Sequence, residues 1–269
     1  MKKINFVLAI IVSLSFLGLS CSKNEDKPKF NLFSINDDME FGKQFDAEIM
    51  SSTSEFVILN ETTYKDAYNY INDYKTKLLN TGKVDYAKTF SWKVRIIHND
   101  TTINAFAVPG GYLYFYTGLI KALDNESEFT GVMAHEMAHV ARRHSTAQLT
   151  KAYGIELLLG MLLGNSNNQW VTIAANMASG LASLQFSRTD EFEADKYSVI
   201  YNNETEWDAR GVAEFFRKMD AQPFFPVFLS THPADKDRIE RVNNEWKALG
   251  EKVGNTNEAS YSQFVSKLP

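Results

Sequence analysis

The sequence predicts an α+β fold, mostly helical with one small β-sheet, and three observations carry that expectation. Most of the chain spaces its apolar residues three and four apart, the period of a helix with one buried face. Between Trp92 and Tyr116 the pattern changes to alternation, broken by Pro109-Gly110-Gly111. The 269 residues are 44% hydrophobic and 13% aromatic, enough to bury a substantial core within one domain. A net charge of -5, with no basic stripe, excludes nucleic acid as the main partner.

At the N-terminus, Lys2 and Lys3 precede an apolar run from Phe6 to Leu19 that is short for a membrane span. Cys21, the only cysteine, follows Leu19-Ser20. Residues 1–20 are therefore read as a lipoprotein-type signal peptide and Cys21 as its lipidated residue, which anchors the chain to a membrane. Gly18 stands three before the cysteine, where Leu is usual, so a plain secretory signal and an uncleaved anchor stay open. Residues 21–36 form a polar, Pro-containing tether. These features place the chain in a bacterial cell envelope, with the outer membrane, periplasmic or surface-facing, as the expected address.

Amphipathic spacing predicts helices over Asp37–Met50 and Thr62–Leu79, the second ended by Asn80-Thr81-Gly82. Trp92, Val94 and Ile96 alternate with Lys93, Arg95 and Ile97, as in a half-buried strand. Thr102–Val108 and Tyr112–Tyr116 complete the sheet, and a helix begins near Ser127. Two apolar stretches, Ile155–Leu163 and Val171–Leu184, are too short to span a membrane. They read as buried helices, with shallow bilayer contact as the alternative. Further helices are expected around Asp190–Tyr201, Trp207–Met219 and Ala234–Leu249, and residues 251–269 as a loosely held tail.

His135-Glu136-Met137-Ala138-His139 lies on the helix that begins near Ser127. Histidines four apart share a helix face and suit a divalent zinc ion, and the intervening Glu is placed to accept a proton from the attacking water. A catalytic zinc needs a third protein ligand. Glu191-Phe192-Glu193-Ala194-Asp195 puts Glu191 and Asp195 one turn apart. Glu191 could ligate while Asp195 accepts a hydrogen bond from a ligand imidazole; an ordinary acidic helix start is the competing reading. His144, five beyond His139, is expected to point away from the site and to be structural. His98 is assigned to a loop.

The ordered strings Asn104–Gly111, Thr117-Gly118-Leu119, His135–His139, Arg143-His144-Ser145, Glu191–Asp195, and His232-Pro233 with Arg238-Ile239 resemble the HtpX / BepA / LoiP / CAAX-prenyl-protease family of zinc metallopeptidases, the gluzincins. The resemblance covers residues 37–250 and implies a zincin fold whose edge strand lies beside the zinc. It implies one zinc ion on His135, His139 and Glu191, with Glu136 as general base. Asn104, Ala105, Phe106 and Ala107 would be the strand that pairs with extended polypeptide substrates. His232 would lie at the active site, stabilising the oxyanion or standing in the water's place as a latency switch, against a plain helix-capping role. Arg238 would supply positive charge to the tetrahedral intermediate. The function so implied is peptide-bond hydrolysis of misfolded or unassembled envelope proteins by a compact lipoprotein without a C-terminal repeat module. A latent or non-proteolytic chaperone that keeps the fold is the alternative.

Overall fold

The computed structural model describes residues 30–151, 185–221, 226–233 and 237–269. The expected signal segment, Cys21 and the paired apolar stretches at 155–163 and 171–184 lie outside the described residues. No described helix is long and apolar enough to cross a membrane.

Helix α1 (Ile35–Ser51) starts at Ser34, whose hydroxyl accepts from Asp37 N while the Asp37 carboxylate accepts from Ser34 N. That reciprocal pair satisfies two donors left open at a helix start. Phe41, Phe45 and Ile49, four apart, bury its inner face. Helix α2 (Lys65–Asn80) does the same with Ala67, Ile71, Tyr74 and Leu78.

Strands β1 (Lys93–Ile97), β2 (Ala105–Val108) and β3 (Tyr112–Tyr116) form one sheet in the order β1-β3-β2. β3 runs parallel to β1 and antiparallel to β2. Gly110 (φ 79°) and Gly111 (φ 92°) turn the chain between β2 and β3. A side chain on Gly111 would also come within 2.7 Å of the Trp92 backbone nitrogen. Both faces of the sheet are covered. Leu113 and Phe115 join the cluster with α2, while Tyr112, Tyr114 and Tyr116 join the α1 cluster. This is why β3 is apolar throughout instead of alternating.

Double coverage overturns the expectation of a half-buried β1. Arg95 is 6% exposed because α1 lies over that face, and Asp46 of α1 accepts from its Nε and Nη2, both at 2.8 Å. Tyr114 Oη donates to the same carboxylate at 3.1 Å. The guanidinium beside Asp46, with Lys93 and Tyr114, outweighs burial and holds its carboxyl below the usual range.

After the short α3 (Thr117–Ala122) comes α4 (Glu126–Ala141), every residue of which is buried. It is surrounded by α5 (Arg188–Asn203), α6 (Gly211–Ala221), β2 and β3. α7 (Pro226–Thr231) and α8 (Asp237–Ala248) follow, and α8 packs on α5 and α6.

The expected loose tail is instead docked. α9 (Glu258–Val265) buries Tyr261 and Phe264, and Phe264 stacks on Tyr70 with ring centroids 4.4 Å apart. Tyr261 Oη donates to Ile120 O at 2.7 Å. Asn257 donates to Glu126, whose carboxylate also accepts from Tyr70 and Trp207. Apolar burial and a saturated carboxylate outweigh the entropy of ordering the segment; its polar, Asn-rich entry hid this in the sequence. The architecture is the α+β zincin type that the resemblance implied.

Candidate active site

Three elements deliver the site. α4 presents His135 and His139 one turn apart on the face toward α5. α5 begins at Ser187 in a second capping box, closed by Asp190, which sets its phase so that Glu191 and Asp195 face α4. α7 ends just before His232, whose backbone N–H still donates to Phe228 O at 2.8 Å and whose ring stacks on Phe228.

His135, His139, Glu191 and His232 come together so that one ligand atom from each lies within 4.8 Å of every other. His135 Nε2 is 3.0 Å from His139 Nε2 and 3.6 Å from Glu191 Oε2. Glu191 Oε1 is 3.4 Å from His139 Nε2, and His232 Nδ1 lies 3.1 Å from Glu191 Oε1 and 3.3 Å from His135 Nε2. Four ligands arranged tetrahedrally at ~2.0–2.1 Å from zinc would stand about 3.3 Å apart. The donor set therefore fits zinc in both spacing and chemistry.

His135, Glu136, His139, Glu191 and His232 are each no more than 1% exposed. Burial holds His135 and His139 below their usual range, so both are neutral, as metal ligation requires. Burial opposes ionisation of Glu191, but His232 and Arg238 outweigh it and keep the carboxyl well below normal. Burial likewise opposes charge on His232, and Glu191 and Glu136 reverse the balance. Glu136 goes the other way: burial pushes it up to about 7, against the pull of His232, Arg238 and the Ala107 backbone N–H. A carboxyl poised near neutrality suits proton transfer.

Asp195 Oδ1 lies 2.9 Å from His135 Nδ1, on the far side of that ring. Arg238 grips both Asp195 oxygens at 2.7 Å and reaches Glu191 Oε2 at 2.9 Å. The sequence suggested Arg238 for the oxyanion; the structure commits its guanidinium to these two carboxylates. His232 Nε2 is 3.3 Å from Glu136 Oε1, so that ring lies between Glu136 and the ligand cluster.

The N-A-F-A segment lies alongside. Asn104 is buried just ahead of β2, and Ala105, Phe106 and Ala107 open the strand. β2 is at the margin of the sheet, with β3 as its one strand partner among the described residues. Its free side faces α4, and Ala107 N–H bonds Glu136 there.

His144 was misjudged from sequence. Helical phase would point it away only if α4 continued, whereas α4 ends at Ala141 and Arg143 adopts φ 58°. The reversal brings His144 Nδ1 to 3.0 Å from His139 Nδ1. A non-glycine residue in a left-handed turn leaves little signal in sequence.

The profile of peptidase family M48 matches residues 69–246, more than half of the chain and all of this site. The chain belongs to peptidase family M48. Similar proteins include a putative beta-barrel assembly-enhancing protease of Vibrio cholerae, 34% identical over 52% of this chain and 32% of the relative. The beta-barrel assembly-enhancing protease of Escherichia coli is 29% identical over 62% of this chain and 37% of the relative. The mitochondrial metalloendopeptidase OMA1 of Schizosaccharomyces pombe is 26% identical over 82% of this chain and 64% of the relative. These alignments thus span one third to two thirds of each relative. M48 proteins are zinc-dependent metallopeptidases, and the His/Glu cluster is where this chain could hold the metal.

Proposed function

We propose that the chain is a zinc metalloendopeptidase that binds one ion through His135, His139 and Glu191. The observation that carries this reading is the near-tetrahedral spacing of buried, correctly protonated donors beside a carboxyl poised near neutrality. When bound, zinc supplies a Lewis acid for the scissile carbonyl and acidifies the attacking water. Glu136 takes the water's proton and delivers it to the leaving amine. Asn104–Ala107 align the substrate by main-chain pairing along the free side of β2, which selects extended polypeptide and gives loose sequence preference. Asp195, held by Arg238, fixes the ring of His135.

His232 occupies the fourth corner of the cluster, where the water must enter. We read this as a latent state, in which the ring must move aside before water and substrate enter. The substrates we propose are misfolded or unassembled envelope proteins, reached by a chain tethered through lipidated Cys21. Casein digestion by zinc-loaded wild type and His232→Ala tests the reading, with zinc content measured in both. Cleavage by wild type that rises in His232→Ala is expected. One zinc per chain and no cleavage by either protein would instead favour the non-proteolytic chaperone.

A further inference from the structure

Behind the two ligand histidines lie different supports. The outer nitrogen of His135 meets a carboxylate directly, Asp195 at 2.9 Å. The outer nitrogen of His139 meets another imidazole, His144, at 3.0 Å. His144 is fully buried and its other nitrogen lies 3.2 Å from Glu193 Oε2. Glu193 is gripped in turn by Arg142, whose Nε is 2.6 Å from Oε1 and whose Nη1 reaches Asp85 at 2.9 Å. The proposed hydrolysis makes no use of His144, Glu193 or Arg142.

Two ring nitrogens 3.0 Å apart share one proton, and the rest of the chain decides whose it is. A neutral imidazole that ligates through Nε2 carries its proton on Nδ1. His139 must then donate from Nδ1, so Nδ1 of His144 must be bare. The His144 proton is left on Nε2, where the Glu193 carboxylate accepts it. Every contact in the chain is satisfied by that one arrangement. The opposite one would put a proton on the ligating atom of His139.

We propose that His144 is a positioning residue for the metal site: it fixes the tautomer and ring orientation of His139, and Glu193 with Arg142 anchors it from behind. This rests on the reading of His139 as a zinc ligand. It gives the two ligand rings unlike partners, one charged and direct, one neutral and relayed. The left-handed turn at Arg143 is what makes the relay possible.

Two measurements on the full chain test this. Histidine nitrogen NMR of the zinc-loaded wild type should show His139 protonated on Nδ1 and His144 on Nε2. Zinc affinity, measured by competition with a chelating dye, should fall about 10–100-fold in His144→Leu. It should recover in large part in His144→Asn, whose short amide can accept from His139 Nδ1. A proton on Nδ1 of zinc-loaded His144 overturns the proposal, as does unchanged affinity in His144→Leu or an equal loss in both variants. Wild type that binds no zinc would overturn the ligand reading and this proposal together. One equivalent of zinc with the wrong His144 tautomer overturns this proposal alone.

Discussion

Glu136 combines two properties that rarely coincide: it is fully buried, and one of its oxygens has no hydrogen-bond partner. His232 Nε2 stands 3.3 Å from that oxygen, Oε1, and burial pushes the carboxyl up to about 7. Glu136→Gln should therefore retain zinc and lose about 10²–10⁴-fold in cleavage rate, measured as initial rates normalised to metal content. A stability counterpart is Asp46, paired with Arg95 under α1. Its folded pKa is depressed, so the pair stabilises above the ordinary value of 3.8, and that contribution disappears as pH falls through the lower folded value. Asp46→Asn should cost about 3 kcal/mol in urea unfolding at pH 7, with the gap from wild type closing in acid below about pH 4. Sequence reading put His135 with His139, and Glu191 with Asp195, each pair on one helix face, but that the two faces meet at one site came only with the family resemblance. It missed His144, since the turn at Arg143 is set by tertiary contacts: Arg143 Nε bonds the buried Asp38 at 2.7 Å.

Among elements, β2 has the most at stake, because one side completes the sheet and the other faces Glu136. Ala107→Pro removes an N–H that points away from β3, so the ladder survives. A fall in kcat/KM on casein with little change in melting temperature is expected; a collapse of Tm would show that the strand end is only structural. The regular elements were legible to within a few residues because the apolar period of each matches one buried face. Arg95 was misread because periodicity cannot tell a solvent face from one covered by a distant helix that brings its own carboxylate. The short α7 and α9 were unforeseen, since helices this brief take their stability from docking rather than from propensity.

Across the whole molecule, α4 ties everything together. Its N-terminus is locked by the C-terminal segment through Glu126, and its C-terminal half carries the site. Phe264→Ala, which unstacks that segment from Tyr70, should destabilise by about 3–5 kcal/mol in urea unfolding and leave zinc content unchanged in the folded protein. In the proposed site, two histidines and a glutamate from α4 and α5 hold one zinc ion, with His232 at its fourth corner. Crystals of the zinc-loaded protein, with anomalous diffraction measured across the zinc edge, test it most directly. One peak is expected at ~2.0–2.2 Å from His135 Nε2, His139 Nε2 and a Glu191 oxygen. A peak elsewhere, or none at those three residues in protein carrying one equivalent of zinc, would contradict it.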